Sequence, residues 1–475
     1  MLFNSVSYFI FAPIVVFLYF QLRDRERKWW LLLASIYFYA AFRVPFLLIL
    51  FASITLTYIA AIKIESSEGG FFKKIYLATA VMGNLSLLYF FKYIDFSFRV
   101  FNQTFSLSPC EPFYLNSPGV ILPLGISFFT LQAVSYAVDV YRGIVPASRN
   151  YFHFTLYLTF FPQLVAGPIM RAKDLLYQFS EKKHFSFENL YPGLRLIAGG
   201  FVKKTFIGDQ AGLVVDEIFA HPDQYSWISI WLGVFFFAFQ IYGDFSGYSD
   251  IAIGTGKILG FQIPENFRRP FAAGSLTDMW KRWHISLSTW LRDYIYIPLG
   301  GSRVSEFRFV INLGITWFVT GVWHGADWTF VFWGLSQGII IYIERIFPVK
   351  VKTFLSLLPH PLKSFYALFA FSVGIFFFRA QPAPGFASGL EVSFFMIERA
   401  FDFTGDYKMI SIPVSSFILV FSLWIFEFFQ ERFSERVSKY TERRDLTLIF
   451  SGAVFLLSLI IYSVTTSPQF IYFQF

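Results

Sequence analysis

The sequence predicts an all-α polytopic membrane protein, and three observations carry that prediction. Of 475 residues, 56% are hydrophobic and only 15% are charged, against about 25% charged in soluble domains. Apolar stretches of span length recur along the whole chain. The longest uninterrupted polar stretches are only about 20 residues, well short of the ~50 that a domain needs. A chain this apolar cannot hide its side chains in aqueous cores. Disorder, collagen, coiled coil and a disulfide scaffold are excluded, the last because Cys110 is the single cysteine. The net charge of +8 sits beside apolar stretches. It reads as cytoplasmic-loop charge and not as a nucleic-acid footprint.

A membrane helix needs about 20 mostly apolar residues to cross a ~30 Å hydrocarbon core. Candidates lie near 4–20, 29–42, 45–62, 74–92, 119–140, 152–170, 226–243, 307–323, 328–347, 363–380, 411–428 and 447–465. A weaker one covers 194–215. About eleven spans are expected, with Pro- and Gly-broken stretches as re-entrant segments. No basic residue precedes the first stretch and no small-residue cleavage site follows it, so a typical cleaved signal is not expected. Arg23, Arg25, Arg27 and Lys28 follow it and place that loop in the cytoplasm and the N-terminus outside. Lys63, Lys73 and Lys74 mark a second cytoplasmic loop, the 95–117 loop with Cys110 an outer one, and Arg432, Arg436, Lys439, Arg443 and Arg444 a third cytoplasmic one. No internal repeat or soluble domain is present, so residues 1–475 read as one integral-membrane domain.

Polar residues within apolar stretches are costly, about 2.5–3.5 kcal/mol for a charge at the bilayer centre, and mark functional candidates. Three clusters stand out. The first is Trp323-His324-Gly325-Ala326-Asp327-Trp328, between two apolar segments. A neutral imidazole there can take a proton from a hydroxyl or thiol. Gly325 leaves room for a substrate beside it. The competing reading is an interfacial histidine among belt tryptophans. The second is Trp280–Tyr294, too polar to span. At helical spacing Trp280, His284 and Ser288 share a face, as in an amphipathic or re-entrant helix. Ser288 with His284 suggests a nucleophile and base, but no G-x-S-x-G elbow supports a serine hydrolase. Arg282 and Arg292 suit a phosphate, or interfacial anchoring. The third is Gly243–Asp250, where Gly243 and Gly247 allow close helix approach. Asp244 and Asp250 there require cationic partners, with Arg268, Arg269 and Arg282 available. Six histidines and one cysteine are scattered with no i,i+4 histidine pair, so no metal is expected.

These residues bring a resemblance into view. Leu122-Pro123-Leu124-Gly125-Ile126-Ser127-Phe128, Phe161-Pro162-Gln163, Ala166-Gly167-Pro168-Ile169 and Gly200-Phe201-Val202-Lys203-Lys204 come first. Asn266-Phe267, Trp280–Tyr294, Ile297-Pro298-Leu299-Gly300-Gly301, Trp323-His324-Gly325 and the tail Phe470–Phe475 follow in order. Together, inside this hydropathy profile, they resemble the membrane-bound O-acyltransferase superfamily. The similarity is greatest to the bacterial branch that O-acetylates alginate or D-alanylates teichoic acid.

The resemblance implies a ring of about eleven transmembrane helices with re-entrant helices forming a central funnel, and a catalytic core over about 119–347. It implies His324 as the active-site histidine, with His284 as the second catalytic residue. Asp244, Asn266, Arg269, Arg282, Trp283, Ser288 and Trp323 would bind the donor or support the funnel. It further implies an acyl thioester donor, acetyl-CoA or an acyl carrier, and no bound cofactor. An inner-membrane location and a periplasmic acyltransferase partner acting on a surface polysaccharide complete the expectation. D-alanyl transfer, lipid acylation and a non-catalytic transporter are the alternatives. The transporter would show inverted repeats, which the sequence lacks.

Overall fold

The computed structural model describes residues 1–109, 111, 113–405, 407–433 and 444–464. Cys110, the charges at Arg436, Lys439 and Arg443, and the Phe470–Phe475 tail lie outside the described residues. Among the described residues the elements are helical, with one isolated parallel bridge between Tyr225 and Lys408. They form two compact units.

The first unit is built mainly from Met1–Leu194 and Ala252–Pro264. It contains α1 (Val6–Gln21), α2 (Asp24–Ala40), α3 (Phe46–Ser66), α4 (Gly70–Lys92), α5 (Ile94–Thr104), α6 (Ile126–Tyr141), α7 (Tyr151–Thr159), α8 (Phe161–Leu164) and α9 (Ala172–Leu175). Ser5 caps α1 and Asn150 caps α7 through their side-chain oxygens. Small side chains let α3, α4 and α6 meet at Ala60, Ala80 and Ala137. Asn84, on α4, joins α4 to α3: its amide donates to Thr57 Oγ1 at 2.9 Å and accepts from Ser53 Oγ. Such polar links hold helices together where lipid gives no hydrophobic drive between them.

The second unit is built mainly from Arg195–Ile251 and Glu265–Ile461. The chain passes between the units within α10 (Phe187–Val202) and α12 (Trp227–Ile258), which flank α11 (Asp209–Ala220). Then come α13 (Leu276–Arg282), α14 (Ile285–Leu291), α15 (Glu306–His324), α16 (Trp328–Ile346), α17 (Val349–Leu357), α18 (His360–Phe378), α19 (Gly389–Ala400), α20 (Val414–Arg432) and α21 (Arg444–Val464). The expected close approach at Gly243 and Gly247 occurs. A Cβ at Gly247 would lie 2.6 Å from the Gly200 carbonyl, and one at Gly243 2.7 Å from the Gly208 nitrogen.

Five described helices, α3, α4, α12, α18 and α20, are long and apolar enough to cross a membrane. The pair α16 and α17 forms a sixth such stretch, bent by 98°. The all-α, multi-pass membrane class therefore holds, while this measure falls short of eleven spans. The reasons are local. The 16 residues of α1 reach only about 24 Å. The 152–170 stretch stops at Phe160-Phe161-Pro162 after the nine residues of α7. The 194–215 stretch is interrupted by a π-helical turn over Lys203–Gly208.

Replacing Asn84 with leucine removes its bonds to Ser53, Thr57 and the Ala80 carbonyl. The variant is expected to lose about 1–2 kcal/mol, seen as a lower Tm in detergent. An unchanged Tm would show that this network does not hold α3 to α4.

Candidate active site

The Trp280–Tyr294 stretch is two helices and not one. α13 ends at Arg282, Trp283 is extended, and α14 begins after His284, whose φ of +44° is left-handed. Such a backbone is disfavoured for any residue with a Cβ, costing about 1–3 kcal/mol, and persists where surrounding contacts enforce it. The enforcing partner is the 266–268 segment. The Asn266 carbonyl accepts from Ile285 N, and Arg268 N donates to the Arg282 carbonyl, both at 2.8 Å. The break overturns the expectation that Trp280, His284 and Ser288 share a helical face. Ser288 Oγ donates to the Trp283 carbonyl at 3.3 Å.

Asn266 also sets the chemistry of His284. Its Oδ1 accepts from Ser286 N at 3.2 Å and from Ser286 Oγ at 2.8 Å. A backbone N–H can only donate, so this atom is the amide oxygen, and Nδ2 donates to Ser249 Oγ at 3.0 Å. His284 Nδ1 lies 3.1 Å from the same oxygen and must carry a proton. Nε2 of the neutral ring is then a hydrogen-bond acceptor. The imidazole is 1% exposed, edge-on to Phe245 at 4.6 Å and stacked over Phe267. Burial pushes its pKa down to about 3.

His324 closes α15, and Asp327 starts α16 by accepting from Thr329 N. The His324 ring packs edge-on against Trp323 at 4.9 Å, Trp333 at 4.7 Å and Phe378 at 5.3 Å. Trp323 also lies 6.0 Å from His284 between ring centroids. One indole thus touches both imidazoles, which the sequence separates by two helices. The sequence suggests that Gly325 leaves room for a substrate, and the structure corrects this. A Cβ there would fall within the Phe330 ring, so the glycine makes room for that side chain.

The segment carrying His284 is mounted on acidic residues of the long helices. On α20, Glu427 accepts from Phe271 N at 3.1 Å and from the Tyr242 hydroxyl. Trp424 Nε1 donates to the Phe271 carbonyl at 3.2 Å. Glu431 pairs with Arg269 at 3.0 Å and with Arg282 at 3.1 Å. Glu344 of α16 accepts from Leu276 N, Thr277 N and Thr277 Oγ1 at 2.6–2.9 Å, capping the start of α13. Trp283 is buried against Tyr242, Phe267 and Phe371.

These pairings correct several expectations. Asp244 pairs with Lys204 at 2.8 Å, and Lys204 also meets Asp209 at 2.6 Å. Asp250 pairs with Lys203 at 2.8 Å. Neither aspartate uses Arg268, Arg269 or Arg282. Lys203 and Lys204, at the start of the π-helical turn that follows α10, reach them instead. Arg282, read as a phosphate ligand, is held by Asp278 and Glu431. Sequence reasoning missed Glu427, Glu431, Glu344, Ser249 and Ser286. Glu427 was within reach, because an acid inside the 411–428 stretch is itself the signal. Among the described residues no group of His, Cys, Asp and Glu could hold a metal.

Two predictions follow from the burial. An unfolded His284 protonates near 6.5, the buried one only near 3. Between those values the unfolded chain binds more protons, so stability falls as pH drops below about 6.5. Denaturation midpoints of wild type and His284→Gln should therefore diverge from pH 7 to pH 4, the variant falling less. Parallel curves would contradict the buried neutral ring. Replacing Glu427 with leucine strands the Phe271 N–H and the Tyr242 hydroxyl, at about 1–3 kcal/mol each. A large fall in Tm is expected, and an unchanged Tm would refute the mount.

Comparison with known proteins bears on this geometry. Residues 145–378, which include both histidines, match the model of the MBOAT, membrane-bound O-acyltransferase, family. A Pseudomonas aeruginosa protein named "Probable alginate O-acetylase AlgI" is 39% identical over 84% of this chain and 74% of its own length. The Helicobacter pylori peptidoglycan O-acetyltransferase is 35% identical over 80% of this chain and 77% of its own. The Bacillus subtilis teichoic acid D-alanyltransferase is 27% identical over 47% of this chain and 59% of its own. On these grounds the chain belongs to the membrane-bound O-acyltransferase family and is a multi-pass membrane acyltransferase.

Proposed function

We propose that the protein O-acetylates a cell-surface polysaccharide, such as alginate or peptidoglycan, from within the bacterial inner membrane. The donor is a cytoplasmic thioester, acetyl-CoA or an acetylated carrier. A periplasmic acyltransferase partner completes delivery to the polymer. In this reading α13 and α14 are re-entrant elements.

The observation that carries this reading is the pair of buried imidazoles on either side of Trp323. In the proposed step, His324 takes the proton from an acceptor hydroxyl as its oxygen attacks the thioester carbonyl. The tetrahedral intermediate collapses, the carbon–sulfur bond breaks, and the imidazolium returns the proton to the leaving thiolate. Such assistance contributes about 10²–10⁴-fold. His284 has its Nδ1 proton directed at Asn266, so its Nε2 suits accepting a hydrogen bond from a substrate N–H or O–H. That arrangement favours orienting a substrate over donating to an oxyanion. Asn266 is a positioning residue for His284, and Asp244, Arg269 and Arg282 support the scaffold.

Acetyl is favoured over D-alanyl because the relatives named for O-acetylation align over most of this chain. The D-alanyltransferase aligns over less than half.

Replacing His324 with alanine, with expression verified, should reduce surface O-acetylation by about 10²–10⁴-fold. Supplying labelled acetate and labelled D-alanine in parallel identifies the group moved. Unchanged acetylation in the variant would overturn the assignment, and label arriving only from D-alanine would replace acetyl by D-alanyl.

A further inference from the structure

We propose that α17 is an in-plane anchor that docks on the anionic headgroup layer of the membrane. Its axis turns 98° from that of α16, with which it makes up one stretch of spanning composition, so with α16 set across the bilayer α17 runs along its surface. The turn is built into the chain. Pro348 cannot continue the helix, and it holds Phe347 extended at φ −48° and ψ 131°.

The surface of α17 matches that setting. None of its nine residues is buried. Val351, Phe354 and Leu357 are 37%, 63% and 78% exposed, which in water would be uncovered apolar surface. At helical spacing Val351, Phe354 and Leu355 fall on one side with Lys350 and Lys352 at its two borders and Leu357 beyond Lys350, while Val349, Thr353 and Ser356 fall on the other. The charge is of one sign. Lys350, Lys352 and Lys363 lie in this stretch, and no acidic residue occurs between Glu344 and Glu391. Apolar side chains on one face with lysines at its border is the pattern of a helix resting at the acyl–headgroup boundary of an anionic leaflet. Lys352 Nζ donates one proton to the Arg345 carbonyl and has two left for phosphate oxygens.

The location gives the contact a consequence. Glu344 caps α13, the helix that leads to His284, and it lies in the last turn of α16, five residues before α17 begins. Seating α17 in the headgroup layer therefore fixes the end of α16 that holds this segment.

The test uses the full-length protein in lipid nanodiscs, with Cys110→Ser and Phe354→Cys carrying a bimane label. A quencher on the lipid acyl chains is expected to quench the label strongly and aqueous iodide weakly. Protection from iodide should be greater in phosphatidylglycerol-containing discs than in pure phosphatidylcholine. In Lys350→Gln/Lys352→Gln that difference should disappear. Strong iodide quenching in both lipids would overturn the proposal, and protection gained only on adding a soluble protein would make α17 a protein-docking site. Lipid burial that ignores headgroup charge would overturn the electrostatic part. Because the readout is label accessibility, its failure is distinct from failure of the acyltransfer assignment.

Discussion

The side-chain amide of Asn266 is the contact on which the rest of the site depends. Its oxygen is shared by the Ser286 backbone and hydroxyl and by the His284 ring, while its nitrogen is taken by Ser249. That arrangement does three things together. It satisfies the Ser286 backbone N–H freed by the break between α13 and α14. It holds His284 in a left-handed conformation, and it settles which ring nitrogen bears the proton. Non-helical backbone within a membrane protein persists only where protein or water covers its polar groups. Asn266, fully buried itself, supplies that cover where the helical ladder is interrupted.

The same logic extends outward. A kinked segment with two strained residues, Arg269 and His284, cannot stay in place through its own hydrogen bonds. Three carboxylates from the long helices hold it: Glu344 from α16, and Glu427 and Glu431 from α20. Removing such groups from water is costly, and each is repaid by several donors in place of one. Glu427 serves a backbone N–H and a tyrosine hydroxyl, and Glu431 bridges two arginines. Charged residues that a hydropathy reading treats as exceptions thus form the mount on which the His284 segment rests. The aromatic residues complete it by excluding water around both imidazoles.

Much of this was legible before the structure, and the limits have physical causes. Composition alone established the membrane class, because no aqueous core can absorb so many apolar side chains. His324 and His284 stood out because polar residues between apolar stretches require a reason. The pairing of Asp244 was not legible, since Lys204 reaches it from a separate element, the start of the π-helical turn that follows α10. The break at His284 was equally hidden, because Trp280–Tyr294 contains neither Pro nor Gly and its spacing suits one continuous helix. Gly325 shows the difference between a residue and its role. Its small size was read as room for a substrate, and what fills the room is Phe330.

The central claim is that His284 is a neutral imidazole protonated at Nδ1 by its commitment to Asn266. Nitrogen-15 chemical shifts of the histidines, in labelled protein with His284→Gln to assign the signal, measure this directly. At pH 5 the account predicts one protonated nitrogen and one bare, acceptor nitrogen for His284. In Asn266→Ala it predicts that this fixed tautomer is lost. A doubly protonated ring at pH 5, or a tautomer indifferent to Asn266, would contradict it.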